Sequence, residues 1–206
     1  MKASFKLFYS KKWGFFSFIG LLIIGLIILL FFDKESIHLS FNQHHNSFFD
    51  TFFKYATYLG DGIVFPIVIA GLLLIKRRPA PAFIYAGVLT LLISYVLKNW
   101  VFIGYARPYE VFKDTIHLID GVKMRHWHSF PSGHTTSAFA LFITAILFSK
   151  KNYLQFLWIG LAIIAGISRI YLSQHFLQDV VAGAILGTFI ALFAYQLYLR
   201  YPLFKK

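Results

Sequence analysis

An all-α fold, a bundle of six transmembrane helices with both termini in the cytoplasm, is what this sequence predicts. Three observations lead to it. Of the 206 residues 58% are hydrophobic and 20% aromatic, while only 14% are charged, far too apolar for an ordinary soluble domain. The apolar residues fall into six runs, as expected of helices that need about 20 such residues to cross a bilayer. Lysine and arginine are spread unevenly between alternate connections, and that asymmetry sets orientation.

Lys2, Lys6, Lys11 and Lys12 precede the first run, Trp13 to Phe32, which Asp33 closes. A basic start followed by an apolar stretch suggests a signal peptide. This stretch is too long for one, and no small-residue cleavage pattern follows, so it is expected to stay as the first span. Asp33 to Asp61 is mixed, with His38, His44, His45, Phe48, Phe49, Phe52, Phe53 and Tyr55. It reads as a loop plus an amphipathic segment lying in the membrane interface.

Gly62 to Ile75 is the second span and ends at Lys76-Arg77-Arg78-Pro79. Ala82 to Leu97 is the third, and because apolar character resumes from Trp100 to Ile103, its helix is expected to continue past Lys98. Gly104 to His134 is the longest polar connection. Thr135 to Phe148, Leu154 to Ile167 and Phe176 to Leu199 complete the set, with Lys150-Lys151 after the fourth and a basic tail from Arg200 to Lys206. No repeat or low-complexity stretch interrupts the chain, so residues 1–206 are expected to form one domain.

Counting charges orients the bundle. With the start in the cytoplasm, Lys2, Lys6, Lys11, Lys12, Lys76, Arg77, Arg78, Lys150, Lys151, Arg200, Lys205 and Lys206 are all cytoplasmic. That is twelve of the 20 basic residues. All eight acidic residues and all eight histidines fall on the other side. The net charge of +12 is therefore a topology signal and not the footprint of a nucleic-acid binder. There is no cysteine, so no disulfide framework exists.

Three polar clusters then meet at the outer surface: Lys98 with Arg107-Pro108, Ser129-Phe130-Pro131-Ser132-Gly133-His134, and Ser168 to Asp179. Ionisable groups at membrane depth are costly and usually face a bundle interior or a cavity. In the third cluster His175 and Asp179 are four residues apart, so a helix would set them on one face. The carboxylate can then hold the proton on one ring nitrogen and leave the other as base, nucleophile or ligand. Arg169 offers a planar fork suited to phosphate or carboxylate. The bland alternative is a structural ion pair.

In the second cluster, Pro131-Ser132-Gly133 leads into a helix whose N–H groups and dipole can face an anion. The Ser132 hydroxyl adds a donor, and His134 stands where it can give or take a proton. Equally, Ser132 can be a plain helix cap and His134 an interface residue.

Together, Arg-Pro, Pro-Ser-Gly-His and Ser-Arg-x5-His-x3-Asp resemble the type 2 phosphatidic acid phosphatase (PAP2) superfamily, from Lys98 to Asp179. Six spans is the architecture its membrane members share. The second and third motifs match throughout. The first departs, because the family has Lys-x6-Arg-Pro whereas eight residues separate Lys98 from Arg107 here. On a continuous helix two extra residues turn Lys98 by roughly 200° relative to Arg107. Gly104 is the expected break that absorbs the difference.

The resemblance implies a metal-independent phosphatase working through a phosphohistidine, without cofactor. His175 would attack phosphorus, Asp179 would orient it, and His134 would protonate the leaving oxygen and then activate water. Lys98, Arg107, Arg169, Ser132 and the Gly133 N–H would bind the phosphoryl oxygens. The implied substrate is a lipid phosphate monoester or diphosphate, met among membrane lipids at the periplasmic or exterior face of a cell (inner) membrane. Undecaprenyl diphosphate, phosphatidylglycerophosphate, phosphatidic acid and a lipid A phosphate all fit. Two other readings stand beside this one: a vanadium-haloperoxidase-like activity, and a non-catalytic lipid-phosphate binder or transporter.

Other features carry less. His126-Trp127-His128 with His134 hints at zinc, but no cysteine or Glu-bearing helix motif accompanies it. His44-His45 reads as a solvated pair. Gly183 and Gly187 form a small-xxx-small pattern that serves packing within the chain or between copies.

Overall fold

A computed structural model describes residues 11–201 of the protein, so Lys2, Lys6, Lys205 and Lys206 of the charge count lie outside the described residues. Among those residues every regular element is helical. The first is α1, Lys12–Phe31, which is apolar on all sides and exposes Phe16, Ile24 and Leu30, as a lipid-facing helix should.

Asp33 ends that run and opens the next one. Its carboxylate accepts from the Ser36 backbone N–H at 2.8 Å and the Ser36 hydroxyl at 2.7 Å, capping α2, Lys34–Gln43. Asn46 caps α3, Ser47–Ala56, in the same manner, accepting from Phe49 N–H at 3.0 Å. A 3₁₀ turn, Thr57–Gly60, follows. The segment expected as a loop with one interfacial stretch is thus two capped helices and a turn.

Next comes α4, Val64–Leu74, bent by 60° from the helical stretch Ser47–Gly60. Then α5, Ala80–Val96, runs on into a π-helical turn, Leu97–Val101, so the helix does continue past Lys98. A short α6, Pro108–Phe112, starts with proline, whose missing N–H costs nothing in a first turn. The bundle closes with α7, Gly133–Phe148, α8, Asn152–Tyr171, and α9, Leu177–Arg200.

Four of these helices are long and apolar enough to cross a membrane: α1, α5 with its π turn, α8 and α9. The bent pair Ser47–Gly60 and Val64–Leu74 counts as a fifth if taken as one broken span. The six uninterrupted spans expected from the sequence are therefore met in part. Gly60 and Gly62 flank the break before α4, and α7 has only 16 residues. Helix α7 sits in the middle of the bundle, against α5, α8 and α9, with most of its length buried.

The closest crossing is between α7 and α9. A Cβ on Gly187 would stand 2.4 Å from the Thr136 carbonyl oxygen, and one on Gly183 would stand 2.7 Å from that of Ser132. Only glycine lets the two backbones approach so far. The small-xxx-small pattern therefore packs helices within this chain. Three threonines inside the bundle are satisfied locally, the Thr136, Thr144 and Thr188 hydroxyls each donating to the carbonyl four residues earlier. At the end away from the motifs, Lys11 donates to the Ser149 carbonyl and Gly14 N–H to Gln155 Oε1 at 3.2 Å.

Candidate active site

The chain direction of four helices builds the site. The C-terminal ends of α5 and α8 and the N-terminal ends of α7 and α9 all lie at one end of the bundle. They bring Lys98, Arg169, Ser132-Gly133-His134 and Asp179 together. His175 lies in the link between α8 and α9, and Arg107 caps α6 in the long connection.

His175 is 1% exposed, and its Nδ1 lies 3.4 Å from Asp179 Oδ2. Asp179 is fixed from three directions. It reaches back to the Phe176 N–H at 3.1 Å, accepts from the Ser129 hydroxyl at 2.5 Å, and its carbonyl receives the Ser132 N–H at 3.0 Å. Asp179 oxygen Oδ1 has no partner within the protein among the described residues.

With Nδ1 facing the carboxylate, Nε2 is left as the lone-pair nitrogen, and Arg107 Nη1 donates to it at 3.2 Å. Burial holds the His175 pKa well below the usual histidine range, and the charges of Arg107, Arg169 and Lys98 add to it. The imidazole is accordingly neutral at neutral pH.

Arg107 is held by the backbone of the long connection. Its Nε donates to the Trp127 carbonyl at 2.9 Å, Nη2 to that of His128 at 3.3 Å, and Nη1 to that of Gln174 at 2.9 Å. Burial and the neighbouring Arg125 charge lower its pKa to about 10, which still leaves it charged at neutral pH. Arg169 donates to the Thr57 hydroxyl at 2.5 Å and to Gln174 Oε1 at 3.4 Å, and its buried Nε has no partner among the described residues.

Lys98 reaches the second motif despite its distant place in sequence. Its Nζ and Cε lie 3.6 Å from where a Cβ on Gly133 would stand, and Nζ donates to the His128 carbonyl at 3.2 Å. Two features absorb the longer spacing. The π turn widens the helix around Lys98, and Gly104 adopts a φ of +80°, open to glycine without strain. Ser132 caps α7, accepting from the Thr135 N–H at 3.3 Å and hydroxyl at 2.8 Å, while its own proton stays available.

All eight residues expected at the site thus lie at this one end. Ser129 and Gln174, members of the second and third polar clusters with no role assigned, join them, and so does the unforeseen Thr57. Ser129 heads the second motif and Gln174 precedes His175, so adjacency was a usable signal for both. Thr57 carries no such signal. His38 was also missed. It is buried, donates to or accepts from Ser173 Oγ at 3.2 Å, and stacks on Phe112, and burial lowers its pKa to about 4. The histidines weighed for zinc turn to different partners, His126 to Glu110 at 2.6 Å and His128 to the Lys98 carbonyl at 3.0 Å.

A groove of about 680 Å³ leads away from the site between α4 and α5. Phe65, Ile69, Gly87 and Leu91 line its apolar length, and Lys98 and Gly133 lie at its polar end.

These features define a multi-pass membrane protein with a basic site around a buried His–Asp pair. Residues 80–202 match the family model of the PAP2 superfamily, and the chain belongs to that family. It is 26% identical to the lipid A 4'-phosphatase of Porphyromonas gingivalis, over 81% of this chain and 73% of that one. Over 68 residues it is 46% identical to the bacitracin transport permease protein BcrC of Bacillus licheniformis, which is 33% of this chain and 32% of the relative's length. Its fold is similar to the crystal structure of Aquifex aeolicus LpxE, with a TM-score of 0.69, 27% identity, and coverage of 78% of this chain and 93% of that one.

Proposed function

We propose that the protein is an integral membrane phosphatase that hydrolyses a lipid phosphate monoester or diphosphate through a phosphohistidine. The observation that carries the lipid reading is the apolar groove with Lys98 and Gly133 at its polar end. A phosphate held there leaves its hydrocarbon chain in the groove between α4 and α5. The name of the P. gingivalis relative fits the same class.

In this mechanism Lys98, Arg107, Arg169, the Ser132 hydroxyl and the Gly133 N–H surround the phosphoryl oxygens. Positioning and charge stabilisation there are the main demands of phosphoryl transfer. The unpartnered Arg169 Nε supplies one such donor. Arg107 turns its fork from His175 to the phosphate and uncovers Nε2. His134 takes the acidic proton that a phosphate monoanion brings into the site; Nε2 attacks phosphorus, the P–O bond to the leaving group breaks, and His134 passes that proton to the departing oxygen. Asp179 keeps the Nδ1 proton in place and stabilises the imidazolium. Next, His134 takes a proton from water, the resulting hydroxide attacks phosphorus, and the P–N bond breaks to release inorganic phosphate.

The charge distribution orients this site toward the periplasm or exterior of a cell membrane, with both termini cytoplasmic. Undecaprenyl diphosphate, phosphatidylglycerophosphate, phosphatidic acid and lipid A phosphate are the candidate substrates. The test is inorganic phosphate release by purified protein in detergent, over those four lipids and a short water-soluble phosphate. Release from at least one lipid, well above the soluble compound, is expected. Equal turnover of both kinds, or none of either, would refute the lipid assignment.

A further inference from the structure

We infer that His45, Asp50 and His117 form a binding site for one divalent transition-metal ion of the zinc class, apart from the phosphate site. Each contributes one ligand atom, and these atoms lie within 4.8 Å of one another. A tetrahedral zinc with bonds of about 2.0–2.2 Å holds neighbouring donors roughly 3.3–3.6 Å apart. His117 Nε2 and Asp50 Oδ2, at 3.3 Å, already have that spacing. His45 lies face to face with His117, ring centroids 3.5 Å apart and planes 2° from parallel. An ion lies in the plane of each imidazole that binds it, so His45 must rotate out of this stack, and with its ligand atom already within 4.8 Å of the other two a turn of the ring completes the set. His45 is exposed in the link between α2 and α3, where such a turn meets no packed neighbour on the bundle.

The groups behind the donors support the assignment. Asp50 Oδ1 accepts from the Tyr171 hydroxyl at 2.7 Å, which steers Oδ2 toward His117. Asn42 holds the His117 backbone from both sides, accepting from its N–H at 2.8 Å and donating to its carbonyl at 2.9 Å. Outer partners of this kind fix ligand orientation and raise metal affinity. Two imidazoles and one carboxylate are the donors of zinc and its neighbours, whereas calcium and magnesium demand oxygen throughout. The fourth position is left to water.

The ion would act as a staple. His117 belongs to the long connection whose Trp127 and His128 carbonyls hold Arg107, while His45 and Asp50 belong to the α2–α3 hairpin. Joining them ties that connection to the bundle without placing the metal on the substrate.

The test is calorimetric titration of Zn²⁺ into the full-length protein, purified on a histidine-free tag and stripped with chelator. One Zn²⁺ per chain is expected, uncompeted by excess Ca²⁺ or Mg²⁺. His45→Ala, Asp50→Asn and His117→Ala should each weaken binding by about 10-fold or more, while His44→Ala should not. Zn²⁺ should also raise the melting temperature of the wild type, but not of the His45→Ala/His117→Ala double variant. A monodisperse elution profile and retained phosphate release show that each variant is folded. The absence of Zn²⁺ binding to the wild type would overturn the site. So would unchanged binding in the three variants, or binding lost only in His126→Ala/His128→Ala.

Discussion

Arg107 Nη1 sits 3.2 Å from His175 Nε2, so a guanidinium covers the ring nitrogen that carries the free lone pair. Two effects follow. The lone pair is held in the acceptor role, which fixes the tautomer with its proton toward Asp179. The adjacent positive charge also disfavours the imidazolium and adds to the effect of burial.

This relationship gives a pH prediction. An imidazole with a depressed pKa stays neutral as pH falls through 6.5, so hydrolysis of an activated aryl phosphate should persist into the acid range. Arg107→Gln removes a charge that lowers the His175 pKa. The acid limb of kcat/KM should therefore move to higher pH. Loss of a phosphate donor should also cut the plateau by about 10²-fold or more. A variant whose acid limb stays in place would show that Arg107 does not set the ionisation of His175.

The two histidines should fail differently. In the proposed mechanism His175→Ala removes the atom that accepts the phosphoryl group, so no leaving group should rescue it. His134→Ala should lose about 10² to 10⁴-fold on a lipid phosphate, whose alkoxide needs a proton, and less on an aryl phosphate. On the aryl substrate its second step lacks a base, so an acid-labile phosphoenzyme should accumulate and map to His175 by peptide analysis. Label on Ser132 instead would overturn the assignment.

The α7–α9 crossing predicts an unusual intolerance. Gly187→Ala places a methyl group 2.4 Å from the Thr136 carbonyl oxygen, and a backbone cannot yield as a flexible side chain does. Overpacking typically costs about 1–3 kcal/mol. The melting temperature in detergent should fall, and activity should fall with it as the Ser132 N–H parts from Asp179. Gly160→Ala, with nothing within 4 Å of the new methyl, should melt at or above the wild-type temperature. Equal melting of Gly187→Ala and wild type would contradict the crossing.

Orientation is open to direct labelling because the chain has no cysteine. In intact cells Asp120→Cys should react with an impermeant thiol reagent, and Lys150→Cys should react only after lysis. Reaction of both from outside would exclude the orientation proposed here.

Much of the catalytic end was readable because its chemistry is local in sequence. His175 and Asp179 are four residues apart, and Ser132-Gly133-His134 are contiguous. Arg107 and Lys98 were found as residues, but how Lys98 reaches Gly133 was not. That contact rests on a π turn, which leaves no mark in an apolar pattern of period 3.6. Hydropathy also said little about the form of the second and fourth spans. It registers how apolar a run is, and cannot tell that α4 begins after a sharp bend or that α7 is walled in by other helices. Thr57 and His38 were invisible for a related reason. Their partners Arg169 and Ser173 are more than 100 residues away, and neither sits in a recognisable motif.

The glycine contact between α7 and α9 has one more consequence, for how such a protein can diversify. The residues assigned to the chemistry in the proposed mechanism, His134 and His175 with Asp179 orienting the latter, are mounted on or beside two helices locked backbone to backbone. In the proposed reading the groove that takes the hydrocarbon chain is lined mostly by α4 and α5, with Gly133 and Ser137 the contribution of α7. If that reading holds, reactivity and chain preference reside on largely separate parts. Exchanging Ile69 or Leu91 for larger or smaller residues should reshape the accepted lipid while leaving the rate on a short aryl phosphate unaltered. A lineage, or an engineer, can move such a protein between lipids without rebuilding its chemistry.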